Sequence, residues 1–182
     1  MTGSDEELVS RARDRDARAF DELVCRHQER VFALAYHILG SAEDAADVQQ
    51  ETFVRAWTSL PKFRGQAAFS TWLHKITVNG CLSRKRRKEW RGEVFDEDER
   101  IESAGSPLAC QERVVNSLVV REVLASIPTR LRVVLVLKSV EGRSVEEVCE
   151  IVGYSNLTVK KQLWRARKLF RERLLQYSEE ER

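Results

Sequence analysis

The sequence predicts an all-α protein made of two small helical domains joined by a flexible acidic linker. Apolar residues recur at spacings of three and four over most of the chain, which places them on one face of an α-helix. Only 3 prolines and 8 glycines occur in 182 residues, fewer than a turn-rich β protein would use. Residues of the types that cap helices precede several of these apolar stretches.

Two helices are predicted in the first third of the chain. The first spans Asp16 to Leu39 and is expected to stop at Gly40, because glycine adopts the left-handed backbone that ends many helices. Ser41 opens the second helix, and Asp44 three residues later resembles the acidic member of a capping box. Pro61 ends the second helix, since proline disfavours a helical residue before it.

The second helix carries an acidic face. Asp44, Asp47, Glu51 and Arg55 lie at spacings of three and four, so they are expected to share one exposed side of the helix. One interpretation is ordinary solvation, helped by the pair of Glu51 with Arg55. The alternative is a surface that docks onto a basic partner protein.

The stretch "FSTWLHKITVN", residues 69–79, predicts a third helix after a loop at 62–69. It leads into a basic run at 84–91. Trp72 beside Lys75 and Asn79 suits unpaired DNA, because each base stacked on an aromatic ring contributes about 1–3 kcal/mol and cations follow the phosphates. A role for Trp72 in the core is equally open on periodicity alone.

The helical pattern disappears after this helix and returns later. The segment from Glu93 to about Cys110 is acidic and contains Gly105, Ser106 and Pro107, which is typical of a linker. The predicted division is therefore a first domain at 1–92, a linker at 93–113 and a second domain at 114–182. Helices resume near Val114, break at Pro128 and continue to Gly142.

The second domain contains a helix-turn-helix pattern. Ser144 with Glu147 forms a capping box, Gly153 turns the chain and Ser155 can cap a longer, basic helix. Val159, Leu163, Ala166 and Phe170 are expected to face inward on that helix. Its outward side holds the best candidates for contact with DNA bases by position: Asn156, Thr158, Lys161 and Arg165. A solvated basic helix is the alternative.

Composition excludes several classes of function. The net charge of +2 does not by itself indicate a nucleic-acid binder. None of the 4 cysteines forms a CxxC pair, which favours free thiols in a reducing cytosol, and Cys25 with His27 lacks the second pair that a metal site would need. No apolar run approaches the roughly 20 residues of a membrane span, and the acidic N-terminus lacks a signal core. We therefore expect a cytoplasmic protein without metal or cofactor.

The sequence also argues against an enzyme. His27, His37 and His74 have no recurrent acid or nucleophile beside them, and neither a glycine-rich phosphate loop nor a paired-carboxylate motif occurs. A hydrolase or thiol enzyme therefore has no supporting group of residues. A regulator that binds duplex DNA alone through its helix-turn-helix is a stronger alternative, although such a protein would need neither the acidic face nor the Trp72 helix.

Taken together, the segments resemble one family. "DAADVQQETFVRAW", "FRGQAAFSTWLHKITVN" and "SRKRRK" are similar to region 2 of bacterial RNA polymerase sigma factors of the extracytoplasmic-function group. "LASIPTRLRVVLVLKSVEGRSVEEVCEIVGYSNLTVKKQLWRARKLFRERL" is similar to their region 4. The similarity runs from about Ala19 to Leu175, apart from the linker. It implies a promoter-specificity subunit of polymerase, with an anti-sigma factor as a further partner and no catalytic activity of its own.

The resemblance also implies roles for particular residues. Docking onto the clamp helices of core RNA polymerase is implied for Asp44, Asp47, Gln50 and Glu51. Melting and reading of the minus-ten promoter element, with one base flipped into a pocket, is implied for Lys62, Phe63, Arg64, Phe69, Ser70, Thr71, Trp72, Lys75, Asn79, Arg84, Arg86 and Arg87. Reading of the minus-thirty-five element is implied for Ser155, Asn156, Thr158, Lys160, Lys161, Trp164, Arg165, Arg167 and Lys168.

The chain departs from the family pattern at the start of its last helix. Asn156-Leu157 stands where a Val-Gly type pair is common, Lys161 where serine is common and Gln162 where arginine is common. These differences bear on which promoter sequence is read rather than on how the helix docks.

Overall fold

The structure, a computed structural model, describes residues 3–90 and 119–180, and its regular structure over these residues is helical. This confirms the predicted all-α class. The predicted linker at 93–113 lies outside the described residues. The helices are α1 (Asp5–Arg13), α2 (Ala17–Leu39), α3 (Ala42–Ser59), a short 3-10 turn (Leu60–Lys62), α4 (Phe69–Trp90), α5 (119–125), α6 (Thr129–Ser139), α7 (Val145–Val152) and α8 (Asn156–Glu180).

The predicted helix ends are confirmed where capping residues specify them. Asp16 caps α2 by accepting from the backbone N–H of Ala19, and Gly40 ends it with φ 75°. Ser144 and Glu147 form the complete predicted capping box at the start of α7, and Gly153 ends that helix with φ 72°. A side chain at either glycine would be strained, because L residues rarely adopt a positive φ.

Helix α1 was not predicted, although the sequence contains its signal. Ser4 and Glu7 form a complete capping box, and Leu8, Val9 and Ala12 are the buried residues of the helix. The stretch is short and strongly acidic at its start, which hides a helix of 9 residues from a search for long apolar periodicity.

Helices α1 to α4 form the first helical domain. They surround a cluster of buried side chains that contains residues of this domain alone. The cluster joins Leu8 and Ala12 of α1 to Leu23 of α2, Phe53 of α3 and Leu73 of α4. The prediction that Leu73 anchors the third helix into its domain is therefore confirmed.

The second domain packs directly against the first. Helix α6 lies against α2, and α7 lies against α4. A single cluster of buried residues contains Ile38 and Val78 of the first domain together with Val134, Leu137 and Val148 of the second. The two predicted domains therefore share a core, which the sequence pattern alone does not reveal.

One buried arginine connects the two domains at the ends of three helical segments. Arg132 of α6 is 3% exposed, and its guanidinium donates to the carbonyl of Ile38 at 2.7 Å, to that of Ile127 at 2.9 Å and to that of Ala125. Burial lowers the pKa of Arg132 to about 10, so the group stays charged at neutral pH. It supplies hydrogen-bond donors to carbonyls that helix ends leave without intrahelical donors.

The cysteines that the structure describes are free thiols, as predicted. Cys25, Cys81 and Cys149 are free thiols, while Cys110 lies outside the described residues. Burial raises the pKa of the Cys81 thiol to about 12. No helix in the described ranges combines the length and the apolarity needed to cross a membrane.

Candidate nucleic-acid interfaces

The acidic face of α3 and the basic run of α4 bind each other. Arg84 donates to the Asp44 carboxylate at 2.7 Å and to the Asp47 carboxylate at 2.6 Å. Lys88 donates to the other oxygen of Asp44 at 2.6 Å, and Arg87 lies 3.8 Å from Glu51. The charged groups of the two helices thus neutralise one another in part.

The expectation that Asp44 belongs to an exposed face is wrong. Asp44 is 6% exposed, and its carboxylate turns to Arg84 and Lys88 instead of closing a capping box with Ser41. Burial raises the pKa of Asp44, but the hydrogen bonds and charges of Lys88 and Arg84 outweigh it, so the pKa lies below its ordinary value. Helical spacing cannot distinguish the two outcomes, because it identifies a shared side of a helix without saying what covers that side.

The other predicted docking residues remain open to a partner. Gln50 is exposed, and half of the Asp47 side chain and about a third of the Glu51 side chain reach solvent. Glu51 also accepts from Arg55 at 3.2 Å, as its spacing predicts. These three residues keep an acidic and polar surface on α3.

Three aromatic rings meet where the loop enters α4. Phe63 and Trp72 lie 4.9 Å apart between ring centroids, Phe69 and Trp72 lie 5.7 Å apart, and Phe63 and Phe69 meet edge to face at 6.3 Å. Such pairs contribute about 0.5–1.5 kcal/mol each beyond the area they bury. The cluster fixes the position of Trp72, whose side chain is half-buried.

A cleft of about 240 Å³ opens beside this aromatic cluster. Trp72 lines it together with three cationic side chains, those of Lys62, Arg64 and Lys75, all of which are exposed. An aromatic face with cations around it is the combination that binds an unpaired base and its phosphates. The residues that complete the lining are Phe63, Gln66, Ala67, Thr71 and Glu150.

The structure separates the predicted minus-ten residues into buried and exposed groups. Phe63, Phe69 and Thr71 are 9%, 6% and 3% exposed, so they form the floor of this region rather than its open surface. Ser70 is half-buried at the start of α4, while the exposed members are Lys62, Arg64, Lys75, Asn79, Arg86 and Arg87. Arg84 is half-buried and is occupied by its two acidic partners.

His27 gains an acidic partner that the sequence did not indicate. Its Nε2 lies 2.7 Å from a carboxylate oxygen of Asp5, and its ring meets Phe69 edge to face at 5.3 Å. Arg26 donates to the other Asp5 oxygen at 3.2 Å. Asp5 lies on helix α1, which was not predicted, so no local pattern connected Asp5 with His27. The pair connects α1 to the aromatic cluster.

Helices α7 and α8 form the predicted helix-turn-helix. Ser155 caps α8 by accepting from the backbone N–H of Thr158 at 3.3 Å, and its hydroxyl also meets that of Thr158 at 2.9 Å. Val159, Leu163 and Ala166 are buried, and Phe170 packs against the same core. The predicted inward face of α8 is therefore confirmed.

The outward face of α8 is open along its first four turns. The exposed residues there are Asn156, Leu157, Thr158, Lys160, Lys161, Trp164, Arg165, Arg167 and Lys168. Trp164 is 65% exposed, so it is not a core residue, and the ammonium of Lys168 lies 5.8 Å from the centre of its ring. A capped helix N-terminus with polar residues followed by cations matches the way recognition helices enter the major groove.

Three residues that line the cleft were not among the predicted minus-ten residues: Gln66 and Ala67 of the preceding loop, and Glu150. Glu150 belongs to α7, the first helix of the helix-turn-helix, yet it lines the cleft formed by the first domain. Only the packing of α7 against α4 brings it there. A sequence carries no signal for such a contact between helices that lie far apart along the chain.

Comparison with known sequences identifies both halves of the chain. Residues 23–91 match the family described as Sigma-70 region 2, and residues 117–170 match the one described as Sigma-70, region 4. The chain is 32% identical over 173 residues to the RNA polymerase sigma-H factor of Pseudomonas aeruginosa, covering 90% of each protein. It is 33% identical over 174 residues to the ECF RNA polymerase sigma-E factor of Escherichia coli K12, covering 90% of this chain and 91% of that protein.

Comparison with solved structures gives the same result. The structure resembles that of CnrH in complex with the cytosolic domain of CnrY, with a TM-score of 0.67 and 28% identity. The match covers 92% of this chain and 95% of the CnrH chain. The resemblance therefore extends over both helical domains and is not limited to the helix-turn-helix.

Proposed function

The chain belongs to the extracytoplasmic-function group of the sigma-70 family of RNA polymerase sigma factors, and from this premise we propose how its residues serve transcription initiation. As a sigma factor, it binds core RNA polymerase and directs initiation at specific promoters. In our proposal residues 1–92 dock on the polymerase and melt the minus-ten element, 93–113 connect the domains, and 114–182 read the minus-thirty-five element. The protein acts in the cytoplasm, where core polymerase is found.

The observation that best supports the minus-ten assignment is the cleft beside Trp72. A flipped base can stack on Trp72 while Lys62, Arg64 and Lys75 neutralise the strand on either side of it. Asn79, Arg86 and Arg87 continue the exposed polar side of α4 toward upstream DNA. Phe63 and Phe69 hold the indole in place from below. Arg84 instead stabilises the α3–α4 contact through Asp44 and Asp47.

For the minus-thirty-five element, the open face of α8 supplies both kinds of contact. Asn156, Thr158, Lys161 and Arg165 lie in the first three turns, where a recognition helix reaches base edges. Lys160, Arg167 and Lys168 are exposed cations suited to phosphates, and Trp164 offers an apolar surface. Ser155 serves as the N-cap that orders the helix start.

An experiment on promoter melting tests the minus-ten assignment. The variant Trp72→Ala with Lys75→Ala should bind core polymerase normally. In an in-vitro transcription mixture with this variant, the minus-ten thymines of the promoter should lose most of their permanganate reactivity. Arg18→Ala, an exposed α2 residue outside the cleft lining, is the control and should melt the promoter normally. Unchanged melting by the double variant would refute the assignment of the cleft.

A separate experiment tests docking on the polymerase. Asp47→Arg with Glu51→Arg should weaken capture of core polymerase in a pull-down, because the exposed acidic surface of α3 becomes basic. Asp21→Arg with Glu29→Arg changes the net charge equally at exposed positions of α2 and should leave capture intact. Equal capture by both double variants would remove the docking assignment. Tight DNA binding by the chain alone, with no promoter specificity given to core, would favour an autonomous regulator instead.

We also propose a regulatory protein partner of the anti-sigma type. The CnrH structure that this chain resembles contains the cytosolic domain of CnrY, and it matches the chain over both domains.

A further inference from the structure

Among the residues that the structure describes, the most exposed large apolar side chain lies in the first turn of α8. Leu157 is 80% exposed, whereas Val159, two residues further on, is 1% exposed and belongs to the core. A single exposed apolar residue is common on protein surfaces and needs no function. The position of Leu157 on the helix and its neighbours there therefore decide whether it has one.

Leu157 occupies the middle of the outward face of α8. An α-helix turns by about 100° per residue, so Lys161 and Trp164, four and seven residues further on, lie on the same side as Leu157. Both of them are exposed. The buried Val159 and Leu163 lie on the opposite side of the helix. Leu157 thus points away from the core, along the direction in which a ligand of this face would approach.

The surroundings of Leu157 indicate what that ligand is. Lys160, Lys161 and Arg165 are exposed cations close to it on the helix surface. An apolar protein groove would have to remove water from these cations without giving them a partner, which is costly. Duplex DNA supplies phosphates for the cations and base edges for the side chain between them. The charge pattern therefore favours DNA over an apolar protein surface.

Only one base offers a suitable partner for a leucine in the major groove. Thymine presents its C5 methyl group there, whereas the other groups on the base edges are hydrogen-bond donors and acceptors. An isobutyl side chain cannot pair with a donor or an acceptor, and covering one without replacing its hydrogen bond to water is unfavourable. Leu157 should therefore favour an A·T pair at the position that it covers and disfavour a G·C pair.

We propose that Leu157 is a specificity-determining residue, which selects thymine at one position of the minus-thirty-five element by packing against the C5 methyl group. The inference rests on the proposed function of α8. Leu157 was not among the residues that the sequence assigned to DNA contact. It adds an apolar contact at the start of α8 to the polar and cationic contacts already described.

The experiment uses the holoenzyme that this chain forms with core polymerase. The holoenzyme first selects bound promoters from a duplex library that is randomised over both promoter elements. Each selected thymine of the minus-thirty-five element is then replaced, one at a time, by deoxyuridine, which pairs with adenine in the same way but lacks the methyl group. At one position this replacement should weaken binding roughly fourfold, the effect of exposing one methyl-sized group to water.

The variant Leu157→Ala removes the partner of that methyl group. Its holoenzyme should bind the thymine and deoxyuridine promoters equally at this position, and selection with it should no longer favour thymine there. Because Leu157 is exposed, the change should leave thermal unfolding nearly unchanged. Leu175→Ala is the matched control, since Leu175 is a 57% exposed leucine of the same helix far beyond its first turns. This control should keep the full fourfold sensitivity to the methyl group.

Two results overturn the inference. One is a selected minus-thirty-five element without a preference for thymine, and the other is an equal effect of deoxyuridine on the unaltered and Leu157→Ala holoenzymes. The double variant Lys160→Ala with Arg167→Ala separates this failure from failure of the proposed function. If loss of these cations weakens promoter binding while the methyl group has no Leu157-dependent effect, α8 contacts DNA and only the role of Leu157 is refuted. If the holoenzyme selects no minus-thirty-five sequence at all, both are refuted.

Discussion

The two helices that we assign to DNA contact, α4 and α8, differ in how accessible their polar and cationic side chains are. On α8 the polar and cationic side is exposed from Asn156 to Lys168, and the buried side contains the apolar anchors Val159, Leu163 and Ala166. On α4 the first turn lies under α7, and Arg84 and Lys88 further along are bound by Asp44. One DNA surface is thus ready for contact, whereas the other is covered at one end and partly neutralised at the other.

This difference matches what each promoter element requires. Duplex DNA of the minus-thirty-five element can be read by a preformed helix face, since the major groove accepts a helix without strand separation. The minus-ten strand exists only after melting, so a site for it serves no purpose before the chain joins the polymerase. Under the proposed assignments, the α7 contact on α4 and the open face of α8 would place duplex recognition ahead of strand capture.

The largest expected effect concerns Arg132, which connects the two domains. Arg132→Ala leaves the carbonyls of Ala125, Ile127 and Ile38 without their charged donor, so unfolding by urea should require about 3–5 kcal/mol less free energy. Arg130→Ala removes an exposed neighbour on the same helix and should stay within about 0.5 kcal/mol of the unaltered chain. A loss below about 1 kcal/mol for Arg132→Ala would show that the domains do not depend on this contact.

A smaller effect should appear as a pH dependence at the covered face of α4. Burial and then the charge of Arg143 lower the pKa of His74 to about 4, from an ordinary value of 6.5. Between pH 6.5 and 4 the unfolded chain binds a proton here that the folded chain does not, so folding loses stability as the pH falls. The loss amounts to about 3 kcal/mol at pH 4.

The variant His74→Leu isolates this contribution. It should flatten the fall in stability between pH 6.5 and 4, measured as urea midpoints across the range. Burial raises the pKa of Glu141 and opposes the trend, so the informative quantity is the difference between the unaltered chain and the variant. An unchanged slope in His74→Leu would exclude His74 as the source.

The contrast between α4 and α8 also marks what the sequence could and could not predict. Helix ends were predicted well where a side chain and a backbone group lie within four residues, as at Asp16, Gly40, Ser144 and Gly153. The inward face of α8 followed from apolar spacing in the same way. Local chemistry specifies these features, so one sequence is sufficient to find them.

Features that depend on distant partners were missed. Asp44 looked exposed because its spacing matched Asp47, but Arg84 lies 40 residues away and covers it. Likewise Asp5 meets His27 across 22 residues, and Glu147 meets Thr71 across 76. Helical periodicity gives the direction of a side chain and contains no information about which helix will pack on it. The contacts that α7 makes beside the cleft could therefore be learned only from the fold.

The smallest expected effect compares one cation from each helix. Lys160 is exposed on α8, so Lys160→Ala should remove about one unit from the slope of log affinity against log salt on duplex DNA. It should also weaken binding up to roughly tenfold at low salt, a change of about 1.4 kcal/mol.

Arg84 already satisfies Asp44 and Asp47, so Arg84→Ala should lower stability but leave that salt slope nearly unchanged. Equal losses of slope in the two variants would mean that Arg84 exchanges its acidic partners for phosphates. The α3–α4 ion pairs would then open when DNA binds, and their cations would contact phosphates. The two helices would differ in when their cations become available rather than in how many they carry.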